Sequence, residues 1–447
     1  MVRVRLGERE PVVCPTLEFA NKQRKEPPIH IRTLLNKLHP IKGFVYGRCT
    51  LEKADGAERL VVDVRPRANG RPRCSKCGRP GARYGSMPDA RLFLFVPLWG
   101  VAFLLRYTMR RVDCRRCGVA VESVPWAEGK NTCTHAMRLF LASWARRLSW
   151  KETAACFGSS WDTVYRAVRW VVAYGLEHRD LGGIEALGVD EVAYRKGQNH
   201  YMTLIYQIDS GRRRLLGVVD GRRIRSLMEF FRDFGAQRCA AIKVVCSDMW
   251  KPYLQVIARK LPQALNILDR FHIVKKLGEA VDEVRRQESA QMRREGYEPV
   301  LSGSRYCFLK RVGNLTRNQS AKLADLLRYD LRSVRAYLLK EAFDPFWQYT
   351  SSYWARWYLR KWCTRAMRSR LEPMKKFVRT LRAHEDLLMN YFTAKKRYNS
   401  GIVEGMNLRV NLTMRKAYGY RSFDVMKVAL FHQLGELPEP KTTHRFC

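Results

Sequence analysis

The chain has 447 residues, 46% of them hydrophobic and 11% aromatic, and 83 Lys and Arg against 42 Asp and Glu give it a formal charge of +41. That apolar content excludes a disordered tail protein and supplies more than one core. The charge is far beyond what solubility needs and calls for a polyanionic partner, nucleic acid before membrane, because no apolar run approaches the roughly 20 residues that span a bilayer. The opening MVRVRLGEREPVVCP lacks the apolar core of a signal peptide, so a cytoplasmic chain is expected. The excess positive charge is concentrated in residues 1–130 and 275–398, which carry +14 and +15.

In chain order, a polar leader at 1–30 reads as flexible and matches no pattern. Residues 31–130 hold RCSKCG and VDCRRCG, whose Cys74, Cys77, Cys114 and Cys117 are the only closely paired members of 13 cysteines. Two such knuckles suit a structural zinc ion bound by four thiolates rather than a disulfide framework. The long link between them predicts a ribbon enlarged by a hairpin, with RLFLFVPLWGVAFLL at 91–105 read as two strands. Residues 131–182 show helical periodicity broken at Ser149 and at FGSS, which predicts three helices. The last begins at an N-cap, Ser160, and carries Trp161, Thr163, Tyr165, Arg166 and Arg169, the layout of a helix-turn-helix recognition helix.

From 183 to 274 the period changes to that of strands: ALGVDEVAY, HYMTLIYQID, RRLLGVVDG, then the helical IRSLMEFFRDFG, the strand AAIKVVCSD, the helical KPYLQVIARKL and the strand QALNILD. Three strands, helix, strand, helix, strand is the order of an RNase H-like mixed sheet. Residues 275–398 read as almost purely helical, and 399–447 as a closing helix and tail. Trp347, Trp354, Trp357 and Trp362 in the helical region read as packed core rather than as platforms for a flipped base.

The chemistry lies in the acids. Asp190 sits in an apolar strand, where a carboxylate needs a partner. Asp248 ends the fourth strand, which neighbours the first in such a sheet. Glu404, between Gly401 and Gly405 in NSGIVEGMN, is the best third acid if the helical region is an insertion looping out of the sheet domain. Two aspartates and a glutamate are an oxygen ligand set for two divalent ions about 4 Å apart, the arrangement for phosphoryl transfer on nucleic acid. Each acid also has a plainer reading: a buried structural aspartate, a helix cap and a surface glutamate. Glu191 should face away from Asp190, and Asp209 and Asp220 read as turn residues. Asp269 reads as a residue behind the metal ligands or facing substrate, beside Arg270, His272, Lys275 and Lys276, which are placed to meet phosphate. Arg415 and Lys416, about three helical turns after Glu404, are further phosphate contacts.

Taken together, CSKCG with CRRCG, GVDEVAYRKGQNHYMTLIYQID, CSDMWKPY, LPQALNILDRFHIVK and NSGIVEGMNLRVNLTMRKAYGYR resemble the DDE transposases of bacterial insertion sequences, most closely the IS-L-three family with its amino-terminal zinc finger. The resemblance implies a multidomain α/β chain: zinc ribbon, helix-turn-helix, and an RNase H-like core interrupted by an all-helical insertion. It assigns Asp190, Asp248 and Glu404 as the catalytic triad on two magnesium or manganese ions. It implies hydrolysis at the element's terminal inverted repeats and joining of the freed 3′-hydroxyl to target DNA. The expected partners are double-stranded DNA and at least one further copy of the chain, in a nucleoid-associated setting without membrane or small-molecule cofactor. Two alternatives are a zinc-ribbon and helix-turn-helix regulator on an inactive scaffold, and an RNase H-like nuclease without strand transfer.

Overall fold

A computed structural model describes residues 30–54, 56–195, 200–396, 401–417 and 419–441. The leader up to residue 29 and Asn399 and Ser400 of the glycine-flanked motif lie outside the described residues. Packing divides the chain into two units, with the break after Thr134.

The first unit starts with α1 (Ile31–Leu38) and holds two sheets. The larger contains β1 (Phe44–Ala54), β2 (Ala57–Pro66), β4 (Arg91–Leu98) and β5 (Val101–Tyr107) in the order β1-β2-β5-β4. The smaller contains β3 (Ala82–Ser86), β6 (Arg110–Cys114) and β7 (Gly118–Val121) in the order β3-β6-β7. The apolar run at 91–105 is the antiparallel β4–β5 hairpin, turning at Trp99 and Gly100 with φ of 49° and 79°. Two successive positive φ values give the turn whose twist matches flanking strands. The hairpin joins the larger sheet through a parallel pairing of β5 with β2. Edge-to-face contacts of Phe44, Phe93 and Tyr107 with Trp126 fill the core beneath it.

The second unit opens with α2 (His135–Ala145), α3 (Trp150–Cys156) and α4 (Trp161–His178), the three helices expected there. Ser149 and Glu152 form a reciprocal capping box on α3, and the Ser160 hydroxyl accepts from Thr163 N at the start of α4. These N-caps start α3 and α4 where the sequence breaks.

Next come β8 (Ala186–Ala193), β9 (Tyr201–Asp209), β10 (Arg212–Asp220), α5 (Ile224–Phe234), α6 (Ala236–Ala241), β11 (Val244–Ser247), α7 (Lys251–Lys260) and β12 (Leu265–Leu268). The strands form one sheet in the order β10-β9-β8-β11-β12. β8, β9 and β10 are an antiparallel meander, whereas β11 pairs parallel with both β8 and β12. The fourth strand is shorter than its sequence predicted, because the alanines that opened it belong to α6.

The helical region begins inside the expected sheet segment with α8 (Arg270–Arg294) and continues through α9 (Arg305–Leu309), α10 (Arg317–Leu326), α11 (Arg332–Glu341), α12 (Ser352–Met367), α13 (Glu372–Ala383) and α14 (Glu385–Thr393). Asp269 caps α8 by accepting from Phe271 N. Inside this region Glu288 is buried and accepts from the Arg332 and Ser333 backbone N–H groups, anchoring the start of α11 on α8. The four tryptophans expected in the core divide: Trp347 and Trp362 are buried, while Trp354 and Trp357 are exposed. On α12, Trp362 lies among the buried residues Ala355, Leu359 and Cys363, away from the exposed Trp354 and Trp357.

The chain then returns to the sheet as α15 (Gly401–Lys416) and α16 (Phe423–Leu434), the latter packed on α4 and β10. His432 of α16 is buried, and neither ring nitrogen has a hydrogen-bond partner among the described residues. Burial first, then Arg146 and Lys416, push its pKa from 6.5 down to about 3. Unfolding restores the ordinary value, so the unfolded chain binds the extra proton and stability falls as pH drops from 6.5 toward 3. Replacing His432 with Leu is expected to remove up to about 1.4 kcal/mol of stability loss per pH unit in that window. Melting curves between pH 6 and 4 check it, and an unchanged slope in the variant would count against the buried neutral ring.

Candidate active site

The sheet register brings three acids into one row. Val189 of β8 pairs with Ser247 of β11, and Ser247 pairs with Leu268 of β12. One residue further along each strand stand Asp190, Asp248 and Asp269. Because register-matched residues on neighbouring strands share a face, the three acids stand at matched positions, Asp190 within β8 and Asp248 and Asp269 just past the ends of β11 and β12. The Asp269 backbone N–H donates to the Ser247 carbonyl, which holds the row together beyond the last paired residues.

Asp190 is buried, with Oδ1 accepting from Glu191 N at 2.8 Å and Oδ2 from Asn407 Nδ2 at 2.5 Å. Asp248 is half-buried, and its Oδ1 accepts from Trp250 N at 2.9 Å, bracing the turn into α7. Burial raises the pKa of both carboxyls above the ordinary value. The Glu191 N–H opposes this most at Asp190, as the Trp250 N–H does at Asp248. His272, one turn into α8, places Nε2 3.8 Å from Asp190 Oδ1 and 3.7 Å from Asp269 Oδ2. It and Lys276 favour the ionised form of Asp248. Asp190 and Asp248 are thus partly desolvated acids, with His272 Nε2 near Asp190 and Lys276 near Asp248, a setting that favours a cation.

Glu404 lies in the first turn of α15. Asn407, one turn later, donates to Asp190 and accepts from the Tyr206 hydroxyl at 2.8 Å. Val403 lies over Gly188, where a Cβ would come within 2.7 Å of Val403 Cγ2 and 3.2 Å of Ile208 Cγ2. Gly188 and Asp190 share one face of β8, so α15 is seated against that face with Glu404 between the two anchoring residues in sequence. Glu404 itself is exposed. Asn407 is the site residue that sequence reasoning missed: its signal was its place one helical turn after the glutamate, in the same motif.

The tight seat of α15 predicts a rescue. Gly188→Ala should cost about 1–3 kcal/mol through overpacking, since Val403 has little rotamer freedom with which to yield. Adding Val403→Ala is expected to restore most of the lost melting temperature and the geometry at Asp190. No recovery in the double variant would show that the helix is not seated there.

Glu191 faces the other side, as alternation requires, with Oε1 3.6 Å from an Arg222 guanidinium that lies over the Tyr201 and Trp250 rings. Asp209 and Asp220 do sit at strand ends, accepting from Glu185 N and the Tyr194 hydroxyl.

Several residues expected to face phosphate already have partners. Arg270 bonds Asp344 and lies over Trp347, whereas Lys275 and Lys276 are exposed on α8. Trp161 and Tyr165 stack on each other and pack with Trp150, and Arg421 covers Trp161. Thr163 bonds the Ser160 cap, and Arg166 pairs with Asp162 at 2.7 Å; Arg166 and Arg169 are exposed. Lys416 donates to the Arg146 carbonyl, and Arg415 is exposed.

In the first unit the sulfurs of Cys74, Cys77, Cys114 and Cys117 lie within 4.8 Å of one another. They are the one group of three or more possible metal ligands that close among the described residues. Each knuckle ends in a glycine, Gly78 and Gly118, with φ of 71° and 69°, a backbone turn that other residues rarely adopt. Backbone N–H groups of Arg116 and Cys117 pull the Cys114 thiol down to about 7, whereas donating its own S–H to the Cys77 sulfur pushes Cys117 up to about 12. Four converging sulfurs with N–H support fit a tetrahedral thiolate site for zinc.

A family model described as a transposase matches residues 187–430. The chain is 29% identical over 399 residues to the transposase for insertion sequence element IS1557 of Mycobacterium tuberculosis, covering 83% of this chain and 87% of that protein. It is 27% identical over 397 residues to the transposase for insertion sequence element IS1001 of Bordetella parapertussis, covering 87% and 95%. No helix among the described residues is long and apolar enough to cross a membrane.

Proposed function

Because this chain belongs to the transposase family of insertion sequences, we propose that it cuts and joins DNA at a centre made of Asp190, Asp248 and Glu404. The observation that carries this reading is the row of carboxyls on adjacent parallel strands, with the Glu404 helix tied to Asp190 through Asn407. The sheet order of the second unit supports an RNase H-like core, and the helices between Asp269 and Glu404 serve as its insertion.

In the first step water attacks the phosphorus at the element's end, the bond to the 3′ oxygen breaks, and that oxygen leaves as a 3′-hydroxyl after taking up a proton. In the second the hydroxyl attacks a target phosphorus and gives up its proton, a new phosphodiester forms, and the target strand's 3′ oxygen leaves. The three acids would hold two magnesium or manganese ions, which lower the pKa of the attacking group and offset charge on the leaving oxygen. Asn407 fixes the Asp190 carboxylate, and the His272 ring stands between Asp190 and Asp269. Asp269, in the same row as Asp190 and Asp248, is the acid to test beside Glu404.

The thiolate cluster holds zinc in a ribbon, and α2 to α4 act as a helix-turn-helix with Arg166 and Arg169 toward terminal-repeat DNA. Exposed Lys275, Lys276 and Arg415 hold phosphates near the site. Two element ends must meet, so a dimer or larger assembly performs the reaction. The test is a cleavage and joining assay on a terminal-repeat duplex with magnesium. Joined donor and target strands support the transposition chemistry; cut strands that never join indicate a nuclease, and binding without cutting indicates a regulator.

A further inference from the structure

We propose that the outer face of α12 is a stacking platform for unpaired nucleotides of DNA. The helix buries Ala355, Leu359, Trp362, Cys363 and Ala366 against the insertion. Its other face leaves Tyr353, Trp354 and Trp357 69%, 53% and 43% exposed. Three large aromatic rings on one solvent-facing helix are costly unless a partner covers them. Tyr353 and Trp354 meet edge to face at 5.2 Å, and Trp354 and Trp357 at 6.0 Å, so the rings form a continuous surface.

Chemistry selects the partner. α12 carries Arg356, Arg360, Lys361 and Arg365 and no acid. Tyr353, Trp357, Lys361 and Thr364 share an open groove of about 410 Å³ with Arg356 and Arg360. Glu385 and Asp386 hold Arg356, and Glu385 holds Arg360, so these guanidiniums are fixed beside the rings. Lys361 Nζ sits 3.7 Å over the Trp357 ring. A base stacking on that ring takes the place of the ammonium, which then reaches the neighbouring phosphate. Aromatic rings interleaved with cations match single-stranded nucleic acid, whose bases present free π-faces. Paired duplex offers only backbone to such a surface.

The platform rests on the reading of this chain as a DNA-handling protein, but not on the acid triad. Its test therefore uses the full chain without divalent metal, with a labelled oligothymidylate of about 20 nucleotides, longer than common single-strand sites, and a duplex of equal length. Wild type is expected to bind the single strand with quenching of tryptophan fluorescence. Trp354→Ala with Trp357→Ala should weaken single-strand binding about tenfold or more, and duplex binding little. The double Trp→Phe variant, which keeps two stacking rings, should retain most of the affinity. Equal losses on both DNAs, no loss on the single strand, or an alanine variant that changes the protein's self-association without DNA would overturn the platform. A chain inactive in cleavage would still give the expected result, whereas absence of all DNA binding would sink the functional reading with it.

Discussion

Asp190→Asn is expected to lower strand cleavage on a terminal-repeat duplex by at least about a thousandfold in magnesium, because residues that act as one unit lose nearly all their effect together. Asp248→Asn and Glu404→Gln should do the same. The amide can keep the local bonds. Its oxygen still accepts from Glu191 N, and a flipped Asn407 amide can accept from the new NH₂ while donating to the Tyr206 hydroxyl. Folding is thus preserved. Burial raises the Asp190 pKa, so the folded chain holds that proton more tightly than the unfolded one. The stability gained from protonation is present at low pH and lost as pH rises through the folded value. At neutral pH the ionised carboxyl therefore costs stability without its cation, and the neutral variant should melt at the same temperature or higher. Cleavage lost together with a large fall in melting temperature would assign Asp190 a structural role instead. DNA affinity measured alongside is expected to stay near wild type.

Asp269→Asn sharpens the comparison. Asp269 shares the row with Asp190 and Asp248 and faces His272, yet it also caps α8. Asparagine retains an oxygen for the cap. A loss as deep as that of Glu404→Gln would make Asp269 a metal ligand, whereas a loss of tenfold or less fits a residue that positions His272.

The reason this row was only half legible lies in register. Alternation and turn residues marked the strands β8 to β12 and put Asp190 and Asp248 on neighbours. Sequence spacing does not say where pairing stops, and it is the parallel pairing of β11 with β12 that lifts Asp269 into line. Local signals did better where one residue forces the backbone: the Ser149 capping box, the Trp99-Gly100 turn and the glycines closing each cysteine knuckle. They did worse where packing chooses between equal faces. Trp354 and Trp362 look alike in FWQYTSSYWARWYLRKWC, and only the helices set against α12 decide that one is buried and the other exposed. The parallel joining of the hairpin to β2 is likewise non-local and left no mark in composition.

Removing the thiolate site should have the largest effect on stability. A structural zinc on four cysteines is worth an apparent 10–16 kcal/mol or thereabouts at neutral pH, strongly pH-dependent. Cys74→Ser or a strong chelator is expected to release one zinc per chain and to melt the small sheet of β3, β6 and β7, whose small interior holds Cys74, Cys114 and Ala120 with Val112 of β6. The larger sheet has its own aromatic core around Trp126. The link between the two sheets is Glu122, which accepts from the Tyr107 hydroxyl and from Arg110 N and Nε. The aromatic signal of Trp126 should therefore survive chelation, while hydrogen exchange accelerates selectively in β3, β6 and β7. Cys77 and Cys114 sulfurs stand 3.5 Å apart, so oxidation is the rival explanation for any loss. A reductant would reverse a disulfide but not chelation, and only added zinc should restore slow exchange after the chelator is removed. If the chain carries no zinc and its exchange is indifferent to the chelator, the ribbon is held by packing alone and the four-sulfur cluster has another role.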